Sequence, residues 1–198
     1  MTLRQTSERE LLIQPPLPVL PSFKNFDRNG GFKLNGYKPI QNIQKIKDNQ
    51  FIELFDILVA HTDLTQNADV IGNAELVLSR SSFEKIIFSM DLVKVEPKIN
   101  EISKFLLYSL LRSNSFKQHC LGYVNGTTVL HLSKKALNDY KIFLPNDYSK
   151  LKPLEEILEN IYNKIAVNIS EIDKLEKLRE SLLPKLMNNE IDISKIEL

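Results

Sequence analysis

The sequence predicts an α+β chain, a small mixed or antiparallel sheet domain with helices followed by one long C-terminal helix of the coiled-coil type. Three observations lead there. Leu151, Leu154, Leu158, Ile161, Ile165, Ile172, Leu175, Leu182 and Leu186 fall at alternating three- and four-residue steps, the spacing of a heptad seam. Short apolar runs bounded by turn residues fill residues 51–96 and read as strands. Beyond Ile99 the period becomes helical, and strands and helices then mix without the regular alternation of a parallel doubly wound sheet.

Three segments follow in order. Residues 1–31 read as an N-terminal segment and proline-rich linker. Residues 1–14 suit a short polar helix, which Pro15, Pro16, Pro18 and Pro21 end by favouring extended backbone. Residues 32–150 read as the domain. Gly30, Gly31 and Gly36 signal turns, and an edge strand is expected around residues 37–43. Residues 55–60, 75–78, 86–89 and 91–96 read as strands of a small antiparallel sheet, the last stopped by Pro97. Ile102, Phe105, Leu106, Ser109, Leu110 and Phe116 form one face of a helix over residues 99–116. A glycine-flanked loop at residues 122–126 precedes a strand over 127–132, a short helix over 134–139 capped by Ser133, and a terminal strand over 140–145.

Residues 151–198 form the rod. Pro153 suits the first helical turn, Glu155 and Glu156 complement its dipole, and Pro184 is expected to kink or end it. The interface residues are Leu154, Leu158, Ile161, Ile165, Ile172, Leu175, Leu182 and Leu186. Asn168 and Arg179 are polar intruders that penalise a wrong register. Such a stripe needs a second extended helix or a long groove to cover it.

The charge balance excludes a polycation. The chain of 198 residues carries 26 basic and 25 acidic residues, but from Leu151 onward 7 basic face 10 acidic, leaving a mildly basic domain and an acidic rod. A single cysteine, Cys120, excludes an internal disulfide. No apolar stretch approaches a membrane span, and residues 1–14 lack the layout of a secretory signal, so a reducing cytoplasm is expected.

Chemistry-bearing motifs are scarce. There is neither a phosphate loop nor a dinucleotide glycine turn, and His61, His119 and His131 lack metal-ligand spacing, so neither cofactor nor metal is expected. Glu96-Pro97-Lys98 with Asp91 imitates the acidic-plus-lysine cluster of magnesium-dependent nucleases, but proline between the two positions breaks the strand that must aim both side chains. Recognition chemistry is denser. Thr62, Gln66 and Asn67 follow a buried strand, and Tyr123, Asn125, Thr127, Thr128, His131, Lys134 and Lys135 surround the glycine-flanked loop. With Arg80 these supply the hydroxyls, amides and cations that reach base edges and phosphates. A coiled-coil protein-interaction module without DNA binding is the alternative that the rod alone supports.

Asp-Ile-Leu-Val-Ala-His-Thr-Asp-Leu-Thr-Gln over residues 56–66, Ser-Met-Asp-Leu-Val over 89–93 and Gly-Thr-Thr-Val-Leu-His-Leu-Ser-Lys-Lys-Ala-Leu over 126–137 resemble the target recognition domain of the specificity subunit of type I restriction-modification systems. Ile-Asp-Lys-Leu over 172–175 through Leu-Leu-Pro-Lys-Leu-Met-Asn-Asn-Glu-Ile over 182–191 is similar to that family's C-terminal conserved helix, and the likeness covers about residues 32–193. The resemblance implies a subunit without catalysis. Full-length members carry two recognition domains separated by two long helices paired antiparallel. Each domain reads one half of a bipartite site in double-stranded DNA, the helices dock methyltransferase subunits, and a restriction subunit joins that assembly. With one domain and one helix, this chain looks like a half-subunit or the C-terminal half of a longer one, and a homodimer through the rod is expected.

Overall fold

A computed structural model describes residues 19–20, 26, 31, 38–39, 50–65, 67–80, 83 and 85–190. The helix expected over residues 1–14 lies outside them.

The domain is built around β4 (Ile57–Ala60), whose four residues are all buried. It pairs antiparallel with β6 (Ala74–Leu76) on one side and β8 (Leu92–Val95) on the other. Alternation sends Ile57 and Val59 into one apolar cluster and Leu58 and Ala60 into another, so the unbroken apolar run reflects a strand covered on both faces. A second sheet orders β2 (Lys38–Pro39), β1 (Val19–Leu20), β7 (Ile86–Ile87) and β3 (Phe51–Ile52), with β1 and β7 parallel. Its β7–β3 half backs the Leu58 cluster, where Phe26 is also buried. Described strand residues thus occur inside the proline-rich stretch, at Val19–Leu20. The third sheet orders β5 (Thr62–Asp63), β10 (Leu130–Leu132) and β9 (Val124–Asn125).

The helix expected over residues 99–116 is two helices, α1 (Lys104–Leu111) and α2 (Asn114–Leu121). Ser103 and Ser113 decide this. Their hydroxyls accept the amides of Leu106 and Phe116 at 3.2 Å, so Ser113 starts a new helix where an unbroken one would have left it internal. The turn lets Phe105 and Phe116 fill the Ile57 cluster from separate directions. Ser133 does not cap α3 (Lys135–Asp139) as expected. Lys134 is the residue at its start, no side chain caps it, and the Ser133 hydroxyl accepts only a long 3.4 Å bond from the Lys135 amide. The strand expected over residues 140–145 is absent because no neighbouring strand pairs with it; Phe143 there is 93% exposed.

A single 3-10 turn, Tyr148–Leu151, leads into α4 (Lys152–Met187), 36 residues and about 54 Å long. Pro184 lies within its last turn, three residues before the end. No helix among the described residues is long and apolar enough to cross a membrane.

Candidate functional site

The third sheet brings together, by register, several of the residues that the sequence analysis offered for recognition. His131 faces Thr62 on β5 and Asn125 on β9, whereas Leu130 and Leu132 of the same strand are buried. The period of two therefore lays Thr62, His131 and Asn125 in one row across the outer face. Asn125 and His131 are exposed. Thr62 is 5% exposed, with its hydroxyl 3.3 Å from Nδ1 of His131, so it orients the imidazole and presents little of itself. Thr127, Thr128, Lys134 and Lys135 are exposed beside this row. Gly126, at a φ of +114°, turns the hairpin. A Cβ there would lie 2.2 Å from the Val129 carbonyl oxygen, so the glycine serves the turn itself.

His61, absent from the sequence-derived set, closes the patch on one side. Its ring centre is 6.5 Å from that of His131. Burial lowers its pKa, the neighbouring His131 and Lys134 lower it further, and Asp91 opposes them.

The loop after β5 is held from beneath. Asp63, 1% exposed, accepts the amides of Thr65 and Val70 at 2.8 Å each. Burial would raise its pKa, but those amides outweigh burial and hold it below the usual carboxylate value. From α2, the Lys117 ammonium donates to the carbonyls of Ala68, Asp69 and Ile71 and to Oδ1 of Asn73, at 3.2, 2.9, 2.6 and 2.9 Å. Residues 64, 65 and 67–73 thus belong to a braced loop with Asn67 exposed on it. Gln66 lies outside the described residues. Lys117 carries no signal in the sequence, since its partners lie 44 to 49 residues away.

Other candidates lie elsewhere. Arg80 lines a groove of about 600 Å³ shared with Asn163, Ala166, Val167 and Ser170 of α4, apart from the recognition row. The Tyr123 hydroxyl donates to Asp139 at 3.0 Å and its ring lies 4.8 Å from that of His119, so it braces α2 against α3. The nuclease constellation does not converge. Asp91 and Glu96 flank the whole length of β8, about 16 Å apart along the strand, and Glu96 is paired with Lys94 at 3.1 Å, which also binds Asp56 at 2.9 Å. Among the described residues no three His, Cys, Asp or Glu side chains gather as a metal site.

The long helix has two faces. Glu155 accepts the amide of Ser103 at 2.6 Å, Leu158 and Tyr162 pack on the Ile57 cluster, and Ala166 is buried. Tyr162 stacks on Phe105 at 5.8 Å, meets Tyr108 edge-on at 5.2 Å, and its hydroxyl lies 3.2 Å from that of Ser109. About 100° around the helix, Leu154, Ile161, Ile165, Ile172, Leu175, Leu182 and Leu186 are exposed, with Asn168 and Arg179 exposed in the same row. Leu158, read from the spacing as a seam residue, is instead shared with the chain's own domain. Its spacing fits both faces, and it packs with Tyr162 on the domain side.

No family model matches the chain. Over 161 residues, 78% of its length, it is 29% identical to a protein of Methanocaldococcus jannaschii named the type I restriction enzyme MjaVIII specificity subunit. The chain spans about a third of that relative, 36% of its length.

Proposed function

We propose, on the premise that this chain is a homologue of a type I restriction enzyme specificity subunit, that it reads one half of a bipartite DNA site and delivers methyltransferase subunits there, with no chemistry of its own. The observation that carries the reading is the register-aligned row of Thr62, His131 and Asn125, bordered by Lys134 and Lys135 on a braced scaffold. Amide and imidazole groups read base edges while the lysines meet phosphates. A restriction subunit would join through the methyltransferase.

The exposed seam supports a homodimer of two antiparallel rods. With Leu154 of one seam opposite Leu186 of the other, the domains are not carried at the rod tips. Each is fastened along residues 155–166, so the two attachment centres lie about 29 Å apart along the axis. Such a dimer reads a palindromic split sequence. Sedimentation is expected to show a dimer at micromolar concentration, and Leu175→Asp to raise its dissociation constant at least about 100-fold, since both copies bury an unpaired carboxylate. A strict monomer of the unaltered chain counts against the dimer.

DNA affinity is expected to fall steeply between about 50 and about 200 mM salt, and Lys134→Gln to reduce the slope of log affinity against log salt by about one. Affinity for duplex DNA that is absent, or indifferent to salt, favours the protein-interaction alternative.

A further inference from the structure

Met90 sits on the turn between β7 and β8 and is 91% exposed; among the large apolar residues described, only Phe143 is as bare. The turn beneath it is not loose. The Ser89 hydroxyl donates to the Asp91 carboxylate at 3.2 Å and accepts the Asp91 amide at 3.3 Å. The Leu92 amide donates to the Ser89 carbonyl at 3.1 Å, and both Ser89 and Leu92 are buried. The backbone is therefore fixed on both sides of a side chain that stands almost wholly in solvent.

The same turn is stitched to the recognition patch. The His61 amide donates to the Asp91 carbonyl at 2.7 Å, and the His61 ring lies 6.5 Å from that of His131. The Asp91 carboxylate repels phosphate, so the tip of this turn suits base edges better than the DNA backbone. An unbranched thioether on such a tip has one good partner in the major groove, the C5 methyl of thymine, the one apolar group a base pair presents there.

We infer that Met90 is a specificity-determining residue that reads a thymine methyl beside the bases contacted from the Thr62–His131–Asn125 row. This rests on the DNA-reading assignment above, and the experiment separates the two. The full chain is used to select duplexes from a random-sequence library, and each thymine of the selected site is then replaced by deoxyuridine, which removes only the methyl. At one position the unaltered chain is expected to lose about fourfold in affinity on uracil. Met90→Ala is expected to lose about as much on thymine, to show no difference between thymine and uracil there, and to keep the salt slope; Met90→Leu is expected to restore much of the discrimination. If Met90→Ala still discriminates thymine from uracil at every position, or acts by weakening methyltransferase binding alone, the inference is overturned while the DNA reading stands. If the unaltered chain selects no sequence, the DNA reading falls and takes this inference with it.

Discussion

Asp63→Ala is expected to lower the unfolding free energy by about 2–4 kcal/mol, because the amides of Thr65 and Val70 then lose their acceptor and each buried unsatisfied donor costs about 1–3 kcal/mol. The loss reaches beyond one loop. The loop leaves β5 directly, and its carbonyls hold the Lys117 ammonium, whose pKa burial already lowers and which Asp63 helps keep charged. Denaturant unfolding measures the change. Amide exchange within residues 64–73 is expected to accelerate more than in α1, since α1 has its own cap and core contacts. The pH dependence supplies a second readout. A carboxylate whose folded pKa lies below its unfolded value contributes stability that is fully present above the unfolded value, near 3.8, and lost as pH falls through the folded one. Part of the fall in stability below about pH 4 is therefore expected to vanish in Asp63→Ala. An acid profile identical to that of the unaltered chain contradicts this account.

Tyr162→Ala is expected to cost about 2–4 kcal/mol and to loosen α4 from the domain, because one ring joins Phe105, Tyr108 and Ser109 to the helix. Tyr162→Phe keeps the ring and is expected to cost only about 0.5–1.5 kcal/mol, the net worth of one hydrogen bond. The two faces of α4 make a sharper consequence testable. Tyr162 lies off the exposed seam, so its truncation should leave the oligomeric state in sedimentation unchanged while small-angle scattering reports a changed disposition of the domains. Loss of the proposed dimer together with the domain contact refutes the separation of the two faces.

Periodic features were legible without coordinates. The strand Ile57–Ala60, the strand Leu92–Val95 and the 36-residue helix follow from apolar runs, alternation and heptad spacing, because burial on a given face imposes a period on the chain itself. The break between α1 and α2 was hidden because Phe105, Leu106 and Phe116 keep helical spacing across it, and a serine inside an apolar pattern reads equally as a tolerated helix residue or as a cap. The run at residues 140–145 alternates like a strand, yet a strand exists only if another edge accepts its hydrogen bonds.

The polar residues divide along the same line. Amides, hydroxyls and lysines after β5 and around β9–β10 could be offered as candidates for recognition from residue type. Residue type could not say that Tyr123 would turn to Asp139, that Arg80 would lie against the helix, or that Thr62 would sit beneath His131. The amino-acid order alone was enough for the strands Ile57–Ala60 and Leu92–Val95, the long helix, its apolar seam and the resemblance to a family, since each is written in local spacing. Which face of the rod holds the domain, that Lys117 braces the loop and that Thr62 lies beside His131 depended on contacts between residues 44 to 69 positions apart. Their geometry arises only when the sheets and helices close on one another.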